Sequence, residues 1–111
     1  MNCYEHTIIT KHDVPDSQNK KLVDKYEEII KKNSGKIIKI ENWGIRSFAR
    51  KINNNRKGFY YHFKLEGVAK TIQELEKAEN IDTKLVRFLT VKVKKHDLET
   101  VFFENKDVNE N

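Results

Sequence analysis

Between Gly58 and Leu65 the chain alternates with a period of two. Phe59, Tyr61, Phe63 and Leu65 share one parity; Tyr60, His62 and Lys64 share the other. A strand points successive side chains to opposite faces, so this stretch demands a sheet with one face packed on a core. The opposite register would bury His62 and Lys64, at a cost of several kcal/mol unless both were paired. A strand is therefore predicted over 57–67, with Phe59, Tyr61, Phe63 and Leu65 inward.

Two segments can cover that face. Leu22, Val23, Tyr26, Ile29 and Ile30 recur at helical spacing, and Val68, Ile72 and Leu75 do the same over 68–79. Ahead of the first helix, Pro15 removes a backbone donor and Asp16 or Ser17 suits an N-cap. Behind it, Lys31 and Lys32 suit the helix dipole and Gly35 suits a left-handed C-terminal cap. Further strands are predicted over 3–10, 36–52 and 84–93, with Gly44 marking a bulge and Asn53 to Gly58 forming a hairpin loop. The order βαββαβ predicts an α+β, ferredoxin-like domain: a four-stranded antiparallel sheet with two helices on one face.

In the last strand Leu85, Leu89, Val91 and Val93 share one parity, while Val86 and Phe88 take the other. Both faces are partly apolar there, which predicts a protein docked on the open side of the sheet. Residues 1–95 form the expected domain. Residues 96–111 form an expected acidic tail, with five acids and one lysine after His96.

Several chemistries are missing. The single cysteine, Cys3, rules out an internal disulfide and any cysteine-based metal site. His6, His12, His62 and His96 lie on different elements without helical pairing, so no metal is expected; His6, in phase with Tyr4 and Ile8, reads as a satisfied structural histidine. No phosphate loop, nucleophile elbow or catalytic triad pattern occurs. Acylphosphatase shares the topology, but the first strand–helix loop, TKHDVPD, lacks the arginine and glycine of its phosphate cradle. No enzyme activity and no cofactor are expected. The start of the chain has no secretory pattern and no run approaches a membrane span, so a cytoplasmic setting is expected.

Charge is segregated. The 24 residues from Asn42 to Leu65 contain no acid and carry Arg46, Arg50, Lys51, Arg56, Lys57 and Lys64. The chain has 22 basic and 17 acidic residues; outside this window the balance is 16 against 17. Thr83 to His96 is also free of acids and carries Lys84, Arg87, Lys92, Lys94 and Lys95. Such polarisation suits a phosphate-rich partner. The segment KGFYYHFK partly matches the RNA-recognition-motif octapeptide. Parity turns Phe59 and Tyr61 inward, however, so this strand is not expected to stack bases, and contact is expected through the phosphate backbone.

Three stretches together carry a resemblance: Tyr4-Glu5 in the first strand, Trp43-Gly44-Ile45-Arg46-Ser47-Phe48-Ala49-Arg50-Lys51-Ile52 in the arm, and Val86-Arg87-Phe88-Leu89-Thr90-Val91-Lys92 in the last strand. Residues 3–95 resemble the bacterial-type family of protein six of the small ribosomal subunit. Phe48 stands where that family usually has Leu, and Arg50 where it usually has Tyr. The resemblance implies a non-enzymatic constituent of the ribosome. It also implies binding to the central domain of small-subunit rRNA, together with small-subunit ribosomal protein eighteen as a heterodimer partner. A bacterial cytosolic ribosome is expected ahead of an organellar one. The matched positions Tyr4, Arg46, Arg87 and Lys92 are implied contacts; Arg50, Lys51, Arg56 and Lys57 join them on charge. The competing expectation is a small-molecule-sensing ferredoxin-like domain that homodimerises through its sheet.

Overall fold

The computed structural model describes residues 1–96. Six elements follow in the predicted order: β1 (Asn2–Lys11), α1 (Asp16–Lys32), β2 (Lys36–Ile52), β3 (Asn55–Gly67), α2 (Ala69–Asn80) and β4 (Leu85–Val93). The strands form one antiparallel sheet in the order β2-β3-β1-β4. Both helices lie on one face, which is the ferredoxin-like arrangement. The expected acidic tail falls on residues outside this description, except for its first, His96.

The core lies between sheet and helices. Tyr61, Phe63 and Leu65 of β3 are buried there with Tyr4 and Ile8 of β1. Leu22, Tyr26 and Ile30 of α1 and Leu75 of α2 close over them, with Val23, Ile29, Phe59 and Ile72 packed at the margin. The inward parity of β3 thus holds. Phe63 is fully buried, so its loss alone would remove about 3–5 kcal/mol.

Helix ends depart from expectation. Pro15 itself occupies the N-cap of α1, and no side chain caps it. Asp16 is already the first helical residue, where its charge meets the dipole. At the other end Ser34, not Gly35, takes the left-handed conformation (φ 66°). The Gly35 N–H returns to the Ile30 carbonyl at 2.8 Å, the six-to-one bond of a Schellman closure. Gly35 is needed for space: a Cβ there would come within 2.6 Å of both the Ile30 and Thr71 Cγ2 atoms. Thr71 then ties the helices together, accepting from the Val68 N–H (3.1 Å) and donating to the Asn33 carbonyl (2.6 Å). Val68 precedes α2 and is exposed rather than inward.

Several register shifts adjust the sheet, one of them at Ile38 of β2, between Ile37 and Lys39. In β2 the register shifts between Asn42 and Gly44, with Gly44 at φ 78° and its N–H bonded to Asn42 Oδ1 at 2.9 Å. The extra residue is Trp43. In β1–β4 the register shifts between Ile9 and Thr10, so Leu85 faces Thr10 and Arg87 faces Ile9. Leu85 therefore packs against the core, and the neighbouring Val86 is buried as well. Leu85 does not share a face with Leu89 and Val91, as simple alternation had placed it.

β1 also carries a buried polar chain. His6 is fully buried, with Nε2 at 2.6 Å from Glu79 Oε2 and Nδ1 at 2.6 Å from Thr90 Oγ1. The Thr90 hydroxyl donates to Glu76 Oε2 at 2.8 Å. It must therefore accept from Nδ1–H, and a second proton lies between Nε2 and Glu79. Burial, more than the opposing hydrogen bond from His6, raises the Glu79 carboxyl above its ordinary range.

Candidate nucleic-acid interface

β2 and β3 run together as a long hairpin that ends in a two-residue turn. Ile52 pairs with Asn55, and Asn53 and Asn54 between them have φ of 49° and 65°. Two successive left-handed residues make the type I′ turn that matches strand twist, and Asn accepts this conformation readily. The hairpin loop is therefore shorter than the sequence pattern suggested, because Asn55 to Lys57 already belong to β3.

The tip does not stand alone. Asn53 Nδ2 donates to the Val86 carbonyl at 3.0 Å, tying the turn to the start of β4. This brings Arg87 toward the arm. Tyr60, on the face of β3 away from the helices, lies among cations of both. Burial raises its hydroxyl above the ordinary tyrosine value, while the Arg46 and Arg87 charges pull it down. Arg50, Lys51, Arg56, Lys57 and Arg87 are exposed; Arg46 is half-buried. The structure thus gathers six of the eight candidate residues around one arm.

The other two lie elsewhere. Tyr4 is buried in the helix-facing core, with its hydroxyl 3.5 Å from Asn2 Nδ2. Lys92 is exposed and pairs in register with Tyr4, about 17 Å along β4 from Arg87.

The side of the sheet without helices holds more than parity suggested. His62 and Lys64 do face that side, yet both are buried. The Trp43 ring stacks on His62 at 4.6 Å between centroids and lies near-parallel to Tyr60 at 6.5 Å. Phe48 meets Tyr60 edge-on at 6.3 Å. Phe59 and Tyr61 are inward, but Trp43, Phe48 and Tyr60 form an aromatic cluster of the opposite parity.

Carboxylates match the buried cations. Glu41 Oε2 lies 3.5 Å from Lys64 Nζ and 3.6 Å from Lys39 Nζ, and Trp43 Nε1–H donates to Oε1 at 2.8 Å. Burial pushes the Glu41 carboxyl upward, but the indole donor and the two ammonium groups outweigh it and leave it lowered. His62 Nε2 lies 3.1 Å from Glu5 Oε1, and Nδ1 lies 2.8 Å from Thr7 Oγ1. Burial lowers the His62 imidazole, against the pull of Glu5. In its neutral form Nε2–H donates to Glu5 and Nδ1 accepts from Thr7. The signal for this cluster was present in the sequence: Glu5, Glu41, His62 and Lys64 fall on matching parities of neighbouring strands. Only the register showed that they meet. Beside them Leu89 and Val91 of β4 are exposed, at 56% and 47%.

Among the described residues no group of three His, Cys, Asp or Glu is placed to hold a metal, and no helix is long and apolar enough to cross a membrane.

Comparison with known proteins matches residues 3–92 to the ribosomal protein S6 family. A small ribosomal subunit protein bS6 from Pelagibacter ubique is 50% identical over 107 residues, covering 96% of this chain and 88% of that protein. The bS6 of Cereibacter sphaeroides is 35% identical over 96 residues, covering 86% and 73%. In three dimensions the chain is similar to the crystal structure of 30S ribosomal protein S6 from Thermotoga maritima. The TM-score is 0.79 at 29% identity, with 83% of this chain and 87% of that one covered. The resemblance noted from the first strand, the arm and the last strand extends across the fold, and the chain belongs to the ribosomal protein S6 family, whose members are structural, non-enzymatic proteins of the small ribosomal subunit.

Proposed function

We propose that the chain binds the central domain of small-subunit rRNA through the β2–β3 arm, and carries small-subunit ribosomal protein eighteen on the open face of its sheet, in a bacterial cytosolic ribosome. The observation that carries the RNA reading is the clustering of Arg46, Arg50, Lys51, Arg56 and Lys57 on one arm whose tip is bonded beside Arg87. Cations at this density suit phosphates of a folded RNA, and position the protein without reading sequence. Lys92 adds a second contact further along β4. Tyr4 serves from within, by holding β1 in the core. Exposed Leu89 and Val91, paired with Thr7 and Glu5 of β1, support a protein partner on the open face.

The test changes Arg50, Lys51, Arg56 and Lys57 together to Ala and leaves half-buried Arg46 intact. These four are exposed, so unfolding free energy should move by less than about 0.5 kcal/mol per site. Affinity for a central-domain rRNA fragment should fall. The log–log salt slope should become shallower by about 0.7–0.9 for each phosphate contact removed. An unchanged slope would place the RNA contact outside the arm.

A further inference from the structure

The start of β4, where the arm tip is tied down, carries a second group of cations. Asp82 Oδ2 accepts from the Tyr26 hydroxyl at 3.0 Å, and Oδ1 accepts from the Lys84 N–H at 2.9 Å. The Lys84 carbonyl in turn accepts from the Lys11 N–H at 3.0 Å. The turn between α2 and β4 is therefore pinned to both α1 and β1, and Lys84 stands against α1. Gln18, Lys21, Leu22 and Lys25 of α1 line a cleft of about 350 Å³ together with Asp82 and Lys84.

We infer that this cleft holds backbone phosphates of the bound RNA, which passes from the arm over the start of β4 and onto α1. The inference rests on the proposed RNA binding and adds a second contact surface to it. The lining has three ammonium groups and one carboxylate, and both oxygens of that carboxylate already accept hydrogen bonds. Lys21, Lys25 and Lys84 make no ion pair among the described residues, whereas the next cation along α1, Lys31, pairs with Glu27 at 2.9 Å. Lys21 and Lys25 stand at i and i+4 of the helix. Like charges at that spacing weaken an isolated helix, and an anion between them relieves the repulsion. Position completes the case. Lys84 is about 7 Å along the chain from Val86, whose carbonyl holds the arm tip through Asn53. The cleft and the arm cations therefore border the same end of the sheet, and one RNA strand can meet both. Lysine meets phosphate as a flexible point charge, so the cleft adds affinity without reading sequence.

The test combines Lys21→Gln, Lys25→Gln and Lys84→Gln in the full chain. Lys21 and Lys25 are exposed and Asp82 is left in place, so the melting temperature should barely move. Against the central-domain rRNA fragment the log–log salt slope should become shallower by about 2.1–2.7, at about 0.7–0.9 for each of three contacts. Arg at the same three positions should restore the slope, because phosphates meet the charge and not the shape. An unchanged slope in the Gln variant, with the arm variant still shallower, would overturn this inference alone. A shallower slope here with none in the arm variant would overturn the arm and leave the cleft standing; no change in either would overturn both. Millimolar inorganic phosphate should leave the Lys21 and Lys25 amide NMR signals of the free chain in place. A saturable shift of those signals, with no change in salt slope, would assign the cleft to a free phosphate ligand and overturn the RNA contact.

Discussion

On the helix-facing side of the sheet His6 meets Glu79 at 2.6 Å, with both side chains fully buried. On the opposite side His62 meets Glu5 at 3.1 Å, with Glu5 about a quarter exposed. Residue types and neighbours are alike, since each imidazole also bonds a threonine hydroxyl. The surroundings differ. Helix α2 seals the first pair away from water, whereas sheet-borne side chains, with Trp43 foremost, cover the second. Burial acts on the carboxyl in the first pair and raises Glu79; in the second it acts on the imidazole and lowers His62. The same two side chains therefore give one sheet two titrating sites of opposite sign.

The largest test of this contrast is Glu79→Ala. Removing one partner of a sealed pair costs about 3–5 kcal/mol, and a domain of this size shifts by about 4–8 °C per kcal/mol. The melting temperature should fall by at least about 12 °C on those figures. A fall of only a few degrees would mean that the pair is no better sealed than its counterpart. Glu5→Ala should cost less, about 1–2 kcal/mol in urea unfolding, because water reaches the group left behind. Equal losses in the two variants would erase the distinction.

The finest test is pH. Raised Glu79 holds a proton in the folded state where the unfolded chain has lost it. Its contribution is full below the ordinary glutamate range and is lost as pH rises through the raised folded value. Lowered His62 is neutral in the folded state where the unfolded chain is protonated. Its contribution is full above the ordinary histidine range and is lost as pH falls through the lowered folded value. Urea unfolding across pH should therefore show Glu79→Gln flattening the limb on which stability falls as pH rises above the ordinary glutamate range, and His62→Gln flattening the limb on which it falls as pH drops below the ordinary histidine range. Either variant flattening the wrong limb would reverse the assignment.

The helix-facing side was largely legible in the sequence. The alternation of Phe59, Tyr61, Phe63 and Leu65 and the stripe from Leu22 to Ile30 each carry a period that packing reinforces. The open side was legible only in part. Its cations could be listed, but the burial of His62 and Lys64 depends on which residues face them across β1 and β2. That is set by register, and on the β2 side register is set by the bulges at Trp43 and Ile38. A bulge leaves no period to read; Gly44 hinted at the first, and nothing local marked the second. The Asn53–Val86 bond, which brings the arm to Arg87, joins residues 33 positions apart and has no local trace.

The strand order leaves β2 and β4 as the two edges of the sheet. An edge strand presents unpaired backbone groups to any other strand it meets, and β2 is 17 residues long. Lys36, Lys39, Arg46, Arg50 and Lys51 line that edge, and Arg87 and Lys92 line the other. Like charges on both borders make two copies repel before their backbones can pair. The cations proposed to meet RNA would thus also oppose edge-to-edge pairing of two copies, and a polyanion that neutralised them would remove that protection.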